Sequence, residues 1–194
     1  YFLQIHGAPS ETALKAALGT LSGQAKYEGP EKPVFRRVSK DEEALWIDLC
    51  DEDWKAIRVL PGSWEVVDNP PVMFVRSPTM HSLPVPAEMG DIEPLWSLLN
   101  IPEADRNLIL CWIMECYRAE TPYVVLELVG EQGSAKSKTQ DILRDFVDPN
   151  QVNLRAKPKN RESLFVSAEN SHLVSYENLS HLKPDLQDAF CTLA

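Results

Sequence analysis

An apolar run, Tyr123-Val124-Val125-Leu126-Glu127-Leu128-Val129, stops at Gly130, and Gly130-Glu131-Gln132-Gly133-Ser134-Ala135-Lys136-Ser137 follows. No other stretch constrains this chain so tightly. The run is short and rich in β-branched residues, which predicts a buried strand. Lys138 to Phe146 suits a helix. Strand, glycine-containing loop, Lys-Ser and helix is the order that a phosphate-binding P-loop requires. Loop N–H groups turn inward around an anion there, and the first helical turn adds unpaired N–H groups and the positive end of its dipole. On this reading Gly130, Glu131, Gln132, Gly133, Ser134, Ala135, Lys136, Ser137 and Lys138 cradle the phosphates of ATP. Lys136 would reach the β- and γ-phosphates, and the Ser137 hydroxyl would ligate Mg²⁺.

The usual pattern, G-x-x-x-x-G-K-[ST], has glycine where this chain has Ala135. A positive φ there would cost alanine on the order of 1 kcal/mol, which is small beside the charge-assisted contacts of a triphosphate. The competing reading is a strand–turn–helix corner whose Lys and Ser are incidental. A second motif weighs against it. His172-Leu173-Val174-Ser175-Tyr176-Glu177-Asn178 reads as a mostly apolar strand ending in an acid, about forty residues beyond Lys136. In P-loop NTPases a carboxylate at the tip of a neighbouring strand holds Mg²⁺ or its water. Glu177 and Asn178 are therefore the candidate catalytic residues, with Ser137 and Glu177 the candidate metal pair. Asn178 stands where many ATPases carry a second acid, and an amide accepts no proton at neutral pH.

GEQGSAKS, DILRDFVDPN and SYENLSHL, ahead of DAFCTLA, together resemble ATPase domains of primase-helicase-like proteins carried by phages and integrated elements. These are similar to superfamily 3 helicases within the AAA+ branch. The resemblance covers roughly residues 92–194. It implies an α/β P-loop NTPase core, with a P-loop at Gly130 to Ser137 and a metal-associated acid at Glu177, where family members often bear an Asp-Asn pair. It also implies a DNA-replication ATPase or helicase that assembles on DNA as a ring-like homo-oligomer. A sensor strand, an arginine finger and a DNA-facing loop normally lie further on than Ala194. The core is thus expected to be incomplete at the C-terminus and to hold ATP without turning it over.

The formal charge of −10 argues against broad, non-specific nucleic-acid binding but leaves room for a local basic site. Arg155-Ala156-Lys157-Pro158-Lys159-Asn160-Arg161 offers one, four cations in seven residues with no acid among them. It reads either as a contact for DNA phosphate, nucleotide phosphate or a neighbouring subunit, or as a solvated loop. Cys50, Cys111, Cys116 and Cys191 form no CxxC pair, and the four histidines complete no zinc pattern, so buried free thiols in a cytoplasmic protein are expected. No signal peptide or membrane-spanning run is visible. A small-molecule kinase would carry an arginine-rich lid and a GTPase an Asn-Lys-x-Asp motif; neither is found. A regulatory or assembly module with a structural P-loop is the non-enzymatic alternative.

The remainder divides into an N-terminal α+β module over 1–78, a Pro-rich linker over 79–91 and the core over 92–194. Ser10 opens a helix whose stripe of Ala13, Leu14, Ala17, Leu18 and Leu21 should end near Gly23. His6, beside a turn, reads as a surface residue. From Val34 the period changes to two, predicting an antiparallel meander of Val34–Val38, Ala44–Leu49, Trp54–Leu60, Trp64–Val67 and Val72–Arg76. Asp48, Asp51, Glu52 and Asp53 lack calcium-loop spacing and read as a solvated hairpin tip. Trp46, Trp54 and Trp64 would fill a core or interdomain face, or stack bases. Helices are expected over Ile92–Leu99 and Glu103–Glu120, the second packed on most faces. Val152–Leu154 would add a short strand, and Arg161–Ala168 a helix.

Overall fold

The computed structural model describes residues 7–119 and 123–193. His6 and the end of the expected 103–120 helix fall outside them. The chain divides into two compact units, Tyr1–Pro33 and Val34–Ala194. The first contains helix α1, Glu11–Tyr27, capped where Ala13 N–H donates to Ser10 Oγ at 3.2 Å. It runs one turn past the expected stop, because Gly23 is tolerated inside a helix at modest cost. None of its side chains is buried, and Leu14, Leu18 and Leu21 lie exposed.

The second unit opens with the antiparallel meander: β1 Val38–Lys40, β2 Leu45–Asp48, β3 Ala56–Leu60 and β4 Ser63–Val67, in spatial order 1-2-3-4. Val72–Arg76 is not a fifth strand. It makes one parallel bridge, Phe35 to Phe74. The small core beneath the sheet holds Ala44, Trp46 and Ala56. Trp46 thus fills the core as expected, whereas Trp54 and Trp64 are exposed. Trp54 has φ 60 and stacks under the Arg76 guanidinium, 3.9 Å from the ring centroid.

Asp48 corrects the reading of a solvated acidic tip. It is buried, receives Arg76 Nη2–H at 2.5 Å, and caps Cys50 N–H at 3.0 Å. A buried carboxylate persists only when paired and hydrogen-bonded, and Arg76 supplies that pairing. The Pro-rich stretch runs inside the second unit. Met80 is buried, and His81 N–H and Gln151 N–H bond Pro149 and Thr79 carbonyls across a two-way bridge.

Helices α2 (Glu93–Leu98), α3 (Arg106–Cys116) and α4 (Lys136–Val147) bury Leu95, Trp96, Leu99, Ile109, Ile113, Cys116, Leu143 and Val147 against one another. Only one face of α3 is covered, since Leu108 and Met114 are 65% and 69% exposed. Of the four thiols, all free, Cys116 alone is buried. Helices α5 (Arg161–Glu169) and α6 (Pro184–Leu193) follow. Asn160 and Ser163 cap α5 reciprocally, and Tyr176 meets Phe190 of α6 edge-on at 5.7 Å.

The strands expected around the loop do not assemble into a sheet among the described residues. Residues 124–129 adopt no regular secondary structure, and Val124, Val125 and Val129 are 67%, 62% and 84% exposed. Leu126 reaches the edge of the helical core, the Val124 carbonyl accepts Trp112 Nε1–H at 3.0 Å, and just before them Tyr123 donates its hydroxyl to Arg118 O at 3.2 Å and meets the His172 ring edge-on. Residues 152–154 form no strand, but the next residue, Arg155, makes one parallel rung with Tyr176, with Arg155 N–H on Ser175 O and Glu177 N–H on Arg155 O, both at 2.9 Å. A sequence period cannot supply a partner strand, which is why three apolar runs with strand character form no ladder. Among the described residues no helix is long and apolar enough to cross a membrane.

Candidate functional site

The loop between Val129 and α4 bends through two left-handed residues, Gly133 with φ 86 and Ala135 with φ 56. Ala135 is the residue immediately before α4, so the chain pivots there into the helix. The alanine therefore occupies the backbone state that glycine serves best. Lys136, at the first helical position, folds back over the loop. Its Nζ donates to Gly130 O at 2.7 Å, Glu131 O at 2.5 Å and Ser134 Oγ at 3.1 Å. All three acceptors are neutral oxygens.

Ser134 is itself placed by its Oγ–H on Glu131 O at 2.8 Å, and its carbonyl accepts Asn100 Nδ2–H at 3.0 Å. Asn100 N–H also reaches Thr139 Oγ1 at 3.3 Å. The turn after α2 is thereby pinned to both the loop and the first turn of α4. Glu131, Gln132, Gly133 and Ser137 are exposed. Lys138 points elsewhere: its ammonium pairs with Asp141 at 3.4 Å. Ser137, Lys138 and Asp141 line a cavity of ≈ 520 Å³ with residues 150–154.

The second motif approaches the same helix. Gln140, one turn beyond Ser137, donates Nε2–H to Ser175 Oγ at 2.5 Å and to Tyr176 O at 2.9 Å. This contact brings the segment ending in Glu177 against α4. Glu177 is half-buried, and Asn178 is exposed with φ 54. Among the described residues no three or more His, Cys, Asp or Glu side chains are arranged to hold a metal. Ser137 and Glu177 are hard oxygen donors of the kind Mg²⁺ uses together with substrate phosphates, one or two from the protein being enough.

The four cations of the basic loop are not equivalent. Lys157 is committed to the structure, its Nζ donating to Ser180 O at 2.9 Å and His181 O at 2.7 Å. Arg155 is half-buried, and its Nε–H is buried without a partner. Lys159 and Arg161 are exposed at the start of α5.

Behind the site lies a buried charge cluster that the sequence did not announce. Asp148 accepts Arg37 Nε–H at 2.9 Å on one oxygen, and Arg144 Nη2–H at 3.2 Å and Leu173 N–H at 3.1 Å on the other. Arg37 also bonds the carbonyls of Asp48 and His81, at 3.0 and 2.9 Å. Burial pushes the Arg144 guanidinium down to about 10, still a cation at neutral pH. One carboxylate thus ties the meander, α4 and the segment of the second motif together. The only sequence signal was Arg36-Arg37 inside a predicted strand.

Comparison with known families places the C-terminal half of the chain among replication proteins of mobile elements. The matching family model, over residues 92–194, is the actinomycete integrative conjugative element replication protein (AICE_RepA); this is just over half of the chain, which belongs to that family. No curated protein and no solved structure matches it.

Proposed function

We propose that the 130–138 corner binds Mg²⁺-ATP, and that the chain is the nucleotide-binding part of a replication ATPase with an α/β P-loop core. The observation that carries this is the Lys136 ammonium, held over its own loop by neutral oxygens alone. A cation so placed gains charge-assisted bonds when phosphate oxygens replace those carbonyls. The 130–137 N–H groups and the first turn of α4 supply the remaining donors. Ser137 and Glu177 would hold Mg²⁺, whose chemistry is to neutralise phosphate charge. Gln140 keeps Glu177 beside the helix that carries Ser137. Lys159 and Arg161 are the cations free to meet DNA phosphate, and a homo-oligomer is the working form.

Thermal unfolding with and without Mg²⁺-ATP tests the reading. Ligand at ~100 times its dissociation constant stabilises by about 2.7 kcal/mol, and Lys136→Ala is expected to abolish that shift. An undiminished shift in the variant would remove the P-loop from consideration. Asn178 favours a second reading, a nucleotide-binding regulatory or assembly module without turnover, because its amide cannot take a proton from water. Phosphate release separates the two: retained binding with no release selects the module.

A further inference from the structure

Beside the loop lies a second cavity, of ≈ 530 Å³, within the size range of small-ligand sites. Its two walls differ in chemistry. One belongs to the loop and the segment leading into it, and offers Leu126, Leu128 and Val129 beside Gly130, Ser134 and Lys136. The other belongs to the turn after α2 and the start of α3, where Ile101, Pro102 and Leu108 present apolar surface and Asp105 a carboxylate. The Asn100 bonds to Ser134 and Thr139 fix these walls relative to each other. Lys136 is the sole cation among the lining residues, whereas Asp105 and Glu127 are anionic. The loop is therefore the place for a polyanion, and the apolar surface beside it suits a flat, largely apolar body that tolerates a carboxylate at its edge.

We infer that the 100–109 wall receives the base of the nucleotide, with Ile101, Pro102 and Leu108 against the ring and Asp105 reading its edge. This rests on the reading of the loop as a phosphate site. An ionised carboxylate only accepts hydrogen bonds. Asp105 thus favours bases with an exocyclic amino group, such as adenine, over uracil, whose two carbonyl oxygens it repels. Leu108, apolar and 65% exposed on α3, is the surface such a ring would cover.

Calorimetric titration with Mg²⁺-ATP, Mg²⁺-UTP and magnesium tripolyphosphate tests the assignment on the wild-type chain, Leu108→Gln and Asp105→Asn. Both substituted side chains are exposed, so the melting temperature without ligand should stay put. The wild type should bind ATP about tenfold more tightly than UTP, a difference worth one charged hydrogen bond. Leu108→Gln should weaken ATP while leaving tripolyphosphate unchanged, and Asp105→Asn should erase the ATP–UTP difference without weakening tripolyphosphate. Equal affinity of the wild type for all three ligands, or full ATP preference in both variants, would overturn the base assignment and leave the phosphate site standing. Failure of the wild type to bind any of the three would overturn both.

Discussion

Ala135 carries a measurable cost. A non-glycine residue at φ 56 is strained by roughly 1 kcal/mol, offset in part by the smaller entropy alanine loses on folding. Ala135→Gly should therefore raise stability to urea by at most ~1 kcal/mol, and a clear drop would mean that the methyl group is packed rather than strained. Gly130 behaves in the opposite way. A Cβ built there lies 2.9 Å from Ser134 Oγ, the hydroxyl that Lys136 also contacts. Gly130→Ala should leave folding nearly intact but reduce the thermal shift produced by Mg²⁺-ATP. These two positions were legible in the sequence because loop glycines and a Lys-Ser pair impose backbone demands that neighbours cannot override. The pairing of Asn100 with Ser134 was not legible, since it joins residues 34 apart through a side-chain amide.

At the scale of elements, α4 is held at both of its ends. Its N-terminal turn meets the α2 turn through Thr139, its middle meets the Glu177 segment through Gln140, and its last turn meets Asp148 through Arg144. Removing the shared carboxylate would leave two buried guanidinium groups uncompensated. Asp148→Ala should thus cost about 3–5 kcal/mol, read from chemical denaturation; a change below ~1 kcal/mol would mean that water reaches the cluster. The meander and the helices were largely visible in the residue pattern, through turn residues, caps and period. The strands expected on either side of the loop do not form among the described residues, because an apolar run specifies burial only when a partner covers it. In the meander the buried face carries Trp46 and Asp48 rather than the aliphatic residues that alternate with them, with Asp48 paired to Arg76 and the Trp46 Nε1–H donated to Asp41 at 2.7 Å.

For the molecule as a whole, acid sensitivity should appear before the carboxylates titrate. The His172 ring bonds Cys116 O at 2.6 Å and is held below its ordinary value of 6.5, chiefly by burial. The unfolded chain therefore takes up a proton near pH 6.5 that the folded chain resists, and stability falls as pH drops through 6.5. His172→Asn should flatten that part of the stability–pH profile; an equal slope in both proteins would assign the fall to other groups. Charge reversal at Lys159 and Arg161 should weaken DNA binding and lower its salt dependence by about one unit of slope for each phosphate no longer neutralised, with unchanged binding marking them as ordinary surface. The exposed valines of the 124–129 segment have a practical consequence for anyone handling the protein. Val124, Val125 and Val129 are exposed on a β-branched run that joins no sheet among the described residues, and such a run invites growth by strand addition. Concentrated solutions should scatter light and drift towards fibrils, and Val124→Lys should keep them clear.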